Sequence, residues 1–129
     1  MATLTPTLTL ASTDAFSNQP ISLSVTDSLT IAAPYTDVSK IAAATGGSII
    51  TAASGAPITY FYLKHTGLLA SDGTTATTNL VTVSDAGGAA IATLATGEFM
   101  FFPSAAGEGV KVTSATAAVF VEYAYFSKA

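Results

Sequence analysis

Residues 117–126, AAVFVEYAYF, set Val119, Val121, Tyr123 and Tyr125 on one side of an extended chain and Phe120, Glu122, Ala124 and Phe126 on the other. Side chains of a strand alternate between faces, so this segment reads as a strand with both faces largely covered. The stretch 58–65, ITYFYLKH, is equally rich in aromatic and β-branched residues and ends at Thr66-Gly67, which predicts a central strand.

The same period recurs at 7–10 (TLTL), 21–26 (ISLSVT), 29–31 (LTI), 80–84 (LVTVS), 90–94 (AIATL), 98–103 (EFMFFP) and 110–113 (VKVT). Pro6, Pro20 and Pro34 punctuate the first third. A proline cannot donate to a ladder, so each is expected at a strand start or in a turn. Ser71-Asp72-Gly73, Asp85-Ala86-Gly87-Gly88 and Ala95-Thr96-Gly97 read as turns, with the glycines of the second supplying positive φ. About eight strands at a spacing of roughly 8 to 12 residues predict an all-β fold, an antiparallel sandwich or barrel with little or no helix. No fixed-period repeat argues for a solenoid.

Residues 38–54, VSKIAAATGGSIITAAS, hold too short an apolar run for a stable helix before Thr45-Gly46-Gly47. They read as a long loop or short edge hairpin, with Ile49 and Ile50 as candidate partner contacts. The segment 3–10 is the other candidate, through Leu4, Pro6 and Leu8. Residues 1–12 are either an N-terminal arm or the first edge strand of one domain spanning 1–129.

Half of the 129 residues are apolar and 9% are charged, against about 25% in ordinary soluble domains. Thr, Ser, Ala and Gly must therefore form much of the surface, which loses little hydration when a neighbour covers it. The cations are Lys40, Lys64, Lys111 and Lys128, with no arginine, on a chain of formal net charge −4. Phosphate-backbone binding needs clustered cations, so nucleic acid is not an expected partner. No cysteine is present, which removes disulfides, thiolate metal sites and thiol catalysis. The first residues lack the basic and apolar regions of a secretory signal, and no apolar stretch reaches the roughly 18 to 20 residues of a membrane helix.

Nothing in the chain spells out catalysis. His65 is the sole histidine and reads as a strand-end residue with a satisfied hydrogen bond. Asp72, Asp85, Glu98, Glu108 and Glu122 are scattered, three of them beside glycines, which suits turns better than a calcium array or a glycosidase pair. Gly46-Gly47 and Gly87-Gly88 are not followed by Lys-Ser/Thr and read as turns, not phosphate loops. No cofactor, metal or catalytic residue is expected. Tyr60, Tyr62, Tyr123 and Tyr125 could form a carbohydrate platform, though alternating strand aromatics more often serve packing.

The order of residues 60–67 (YFYLKHTG), 94–103 (LATGEFMFFP) and 121–126 (VEYAYF) resembles small all-β virion proteins of tailed bacteriophages, over roughly residues 57–127. The resemblance implies a jelly-roll-like sandwich that decorates or cements a capsid. It further implies the major capsid protein as partner, a homo-oligomer with a trimer favoured, and a place on the virion surface after assembly in the bacterial cytoplasm. A tail, neck or fibre component is the near alternative. A carbohydrate-binding adhesin module is the rival from another class.

Overall fold

The computed structural model describes residues 1–14, 20–50 and 58–129. Among them the chain is all-β, with twelve strands, no helix and antiparallel pairing throughout. Its contacts cluster into two compact units, residues 1–32 with Ala129 and residues 33–128, where the sequence reads as one domain.

The smaller unit holds β1 (Ala2–Leu4), β2 (Thr7–Ser12), β3 (Ile21–Thr26) and the start of β4 (Leu29–Tyr35). β1 pairs with β4. β2 and β3 form a two-stranded ribbon in which Leu8 faces Val25 and Leu10 faces Leu23. The alternation at 7–10 and 21–26 is thus real strand structure, and residues 1–12 contain two strands.

The larger unit is an antiparallel β-sandwich of β5 (Ser39–Ala43), β6 (Ser48–Ile50), β7 (Thr59–Leu69), β8 (Val81–Asp85), β9 (Ala90–Leu94), β10 (Phe99–Pro103), β11 (Val110–Ser114) and β12 (Val119–Lys128). One sheet runs β5-β12-β7-β10 and the other β6-β11-β8-β9. The pairings are nested: β5 with β12, β6 with β11, β7 with β10, and β8 with β9. The chain therefore runs out and back as one long hairpin, and the β12–β7 and β11–β8 pairings fold it on itself. Each crossing joins two layers whose inner faces share one core.

That core consists of Ala43, Phe61, Leu63, Val119 and Val121 from one sheet and Ile50, Val81, Val83, Leu94, Val110 and Val112 from the other. Phe61 stacks with Phe102 at 5.9 Å between ring centroids and tilts against Tyr125 at 6.2 Å. β7 lies between β12 and β10, as expected for a central strand.

Several expectations are corrected. Residues 38–50 are neither a loop nor a hairpin, because β5 and β6 are edge strands of different sheets; residues 51–54 of that segment lie outside the described residues. Small side chains (Ala42, Ala43, Ser48) hid both strands from a reading based on alternation. The strand count exceeds eight because β5, β6 and the three-residue β1 carry no alternation long enough to read. Pro34 sits inside β4, where its carbonyl accepts the Ser127 hydroxyl at 2.7 Å. In the β8–β9 turn only Gly88 has positive φ, at 103°, and Gly87 does not.

Candidate functional site

His65 does not end its strand, since β7 continues to Leu69. The odd-numbered residues of β7 face the core, so the imidazole is fully buried. Its Nδ1 accepts the Gly67 amide at 2.9 Å. The ring proton then belongs to Nε2, which donates to the Asn79 carbonyl at 2.7 Å. Both nitrogens are engaged, and neither lone pair nor proton is directed at solvent. Gly67 must be glycine here: its φ is +78°, and a Cβ would fall 2.7 Å from Thr96 Cγ2. The histidine pins the bend where β7 meets the 75–79 segment.

The turn acids are equally local. Asp72 accepts the amides of Thr74 and Thr75, each at 2.9 Å, and the Thr75 hydroxyl. Those bonds hold its carboxyl down to about 2. Asp85 accepts the Ala89 amide and Glu98 the Ala95 amide, each closing its own reversal. Among the described residues no group of three or more His, Asp or Glu side chains stands close enough together to hold a metal ion.

Two surfaces stand out instead. The first is the β2–β3 ribbon. Register places Leu8, Leu10, Leu23 and Val25 on one face and Thr7, Thr9, Ser22, Ser24 and Thr26 on the other. The four aliphatic residues are 46%, 48%, 44% and 52% exposed. An isolated two-stranded ribbon is marginally stable in water, and this one keeps its apolar row uncovered.

The second is the outer face of the β5-β12-β7-β10 sheet. One rank across it reads Lys40, Glu122, Lys64, Phe99, and the next reads Ala124, Tyr62, Phe101. Phe101 stacks on Tyr60 with centroids 5.8 Å apart and planes 7° apart. The Tyr62 hydroxyl donates to Glu122 Oε1 at 2.9 Å. Burial, then the hydrogen bond and negative charge of Glu122, push the Tyr62 phenol above its ordinary value. The tyrosines considered as a platform thus divide: Tyr60 and Tyr62 belong to this outer face, while Tyr123 and Tyr125 pack against the core.

Of the residues singled out as contacts, Leu4 and Pro6 are half-buried and Leu8 is exposed, all in the smaller unit. Ile49 is exposed in the larger unit. Ile50 is corrected: it lies opposite Val110 and belongs to the core, because neighbouring strand residues face opposite sides. Leu10 lies in the 3–10 segment already marked as a candidate, but sequence reasoning passed over Leu23 and Val25, whose alternation was visible but whose pairing was not. It also passed over Phe99 and Phe101, whose exposure depends on β10 lying at a sheet edge.

No protein-family model, curated protein or solved structure matches the chain.

Proposed function

We propose that this protein is a non-enzymatic structural component of a bacteriophage virion that decorates or cements the capsid, binding the major capsid protein and its own copies as a small symmetric oligomer, a trimer. The observation that carries this reading is the β2–β3 ribbon with its uncovered row of Leu8, Leu10, Leu23 and Val25. A contact surface of that kind gains from being covered and has no charge to desolvate. Repeated around a shell, many such modest contacts add by multivalency.

The sandwich supports the reading from another side. Its nested pairing, with sheet orders β5-β12-β7-β10 and β6-β11-β8-β9, fits a jelly roll, an architecture used by viral capsid domains among others. Architecture alone does not assign a function, so the weight rests on the ribbon and on the sequence likeness.

The test is co-sedimentation of purified protein with preformed shells of its own phage, alongside light scattering to weigh the free protein. Wild type is expected to pellet with shells and to weigh as a trimer. The double variant Leu10→Asn, Leu23→Asn should lose about tenfold or more in shell affinity while its thermal midpoint moves by only about 2–4 °C. Unchanged shell binding by that variant, or no binding by wild type, overturns the proposal.

A further inference from the structure

The two outer faces of the sandwich differ in the kind of apolar group they expose. The face of the β6-β11-β8-β9 sheet presents Thr82, Thr93, Thr113 and Lys111 with two separate aliphatic residues, Ile49 and Ile91. The opposite face presents aromatic rings, Phe99 at 62% and Phe101 at 38% exposure, with Phe101 stacked on Tyr60. Exposed phenyl groups forgo the burial that would stabilise them in a core. Their position calls for an occupant.

The charges beside them narrow its chemistry. Lys40 and Lys64 flank Glu122 in one cross-strand rank. Two lysines and one glutamate give this rank +1, and Lys128 at the end of β12 adds a further cation to the same face, although the whole chain carries −4. Half of the four lysines therefore sit in a single rank. A second copy packed face to face through this surface would bring like net charges together, which disfavours self-association here. An anion fits.

The donors and acceptors narrow it further. Phe99 is the direct cross-strand partner of Lys64, so an aromatic plate and an ammonium group are neighbours, with Cβ atoms about 5 Å apart. Glu122 receives the Tyr62 hydroxyl on Oε1 and keeps Oε2 for a hydroxyl donor. β7 and β12 are interior strands whose backbone groups are engaged in the sheet, so the middle of this face has no ladder positions to offer a peptide. A ligand with an apolar C–H face, hydroxyl donors and a carboxylate uses all three features together: the phenyl ring, the glutamate and the lysine.

From this juxtaposition we infer that the outer face of the β5-β12-β7-β10 sheet, centred on Phe99, Phe101, Lys64 and Glu122, binds an acidic saccharide, with a sugar ring against the phenyl groups and a uronate-type carboxylate at Lys64. The inference concerns the larger unit and does not depend on the ribbon or on a capsid role.

The test is a titration of ¹⁵N-labelled full-length protein with three probes of matched length: an oligogalacturonate, a neutral cello-oligosaccharide and an oligoglutamate. Shift changes centred on the amides of Phe99, Phe101 and Lys64, with oligogalacturonate binding about tenfold tighter than either other probe, are expected. Phe99→Ala should weaken that binding about tenfold, while Ile91→Ala, at an exposed position of the opposite sheet, should leave it unchanged. Lys64→Gln should remove the preference for the acidic over the neutral saccharide. Both side chains are exposed, so these variants are expected to fold. Equal binding of oligoglutamate would make the surface a site for acidic polypeptide and overturn the inference. Equal binding of the neutral saccharide, or no localised shift with any probe, overturns it as well.

Discussion

The β7–β12 pair and the β2–β3 ribbon are both antiparallel, and both alternate apolar with other residues, yet they meet solvent in opposite ways. In the first, Phe61, Leu63, His65, Val119 and Val121 face inward at 0% exposure. In the second, the aliphatic row stays between 44% and 52% exposed. Alternation specifies a strand and assigns its faces, but burial needs a second layer. β7 and β12 have one in the β6-β11-β8-β9 sheet, whose valines complete the same core. Among the described residues the ribbon has no such layer over its aliphatic row, which is why the proposed function rests there.

The comparison breaks most visibly with a pair of truncations. Phe61→Ala removes a fully buried ring that stacks with Phe102 and Tyr125, and should cost about 3–5 kcal/mol in urea unfolding. Leu10→Ala, at a half-exposed position, should cost less than about 1 kcal/mol in dilute protein. All five tyrosines lie at 35, 60, 62, 123 and 125, within the larger unit, so near-ultraviolet tyrosine dichroism reports that unit, with four of the five in the sandwich. A Leu10→Ala cost equal to that of Phe61→Ala would mean the row is already covered in solution. In that case the stability of wild type would rise with protein concentration, as it does when association and folding are linked.

Large side chains explain what could be read from the sequence alone. The strands at 58–65, 98–103 and 117–126 were legible because aromatic and β-branched residues mark both period and burial. β5 and β6 were not, since Ala42, Ala43 and Ser48 look alike in a strand and a loop. Their strand state comes from pairing with β12 and β11, partners about 80 and 60 residues away, and such tertiary context overrides local preference. Leu8 could be marked as a contact, but its companions Leu23 and Val25 become one row with it only through the register of β2 on β3. The charged rank of the outer face was invisible for the same reason: Lys40, Lys64 and Glu122 are far apart in the chain and adjacent only across strands.

Two polar residues inside the sandwich sharpen the contrast between a covered and an uncovered surface. His65 satisfies the Gly67 amide and the Asn79 carbonyl, so His65→Leu strands two buried polar groups and should cost about 2–4 kcal/mol. Ser114 is fully buried, and its hydroxyl has no hydrogen-bond partner among the described residues. Ser114→Ala removes an unpaired polar atom and should be neutral or stabilising by up to about 1 kcal/mol. Opposite signs from one core are the expected result, measured in the same urea series. A large loss in Ser114→Ala would mean that the hydroxyl is satisfied in solution, as by an internal water.

The smallest effect lies on a loop of the sandwich. Hydrogen bonds from Thr75 and Thr74 hold the Asp72 carboxyl at about 2, below its ordinary 3.8. Between those values the folded chain binds fewer protons than the unfolded chain, so the stabilisation is present above about pH 4 and is lost as pH falls through about 2. Asp72→Asn keeps an acceptor oxygen but cannot titrate, so its thermal midpoint, followed by tyrosine dichroism, should fall less steeply than that of wild type across this window. The carboxylate is fully exposed, so the difference should be small and should shrink further in high salt. Parallel pH profiles for the two proteins would mean that the loop at 71–75 does not hold its threonine bonds in solution. The sandwich would then share with the ribbon a surface set by its surroundings more than by its own contacts.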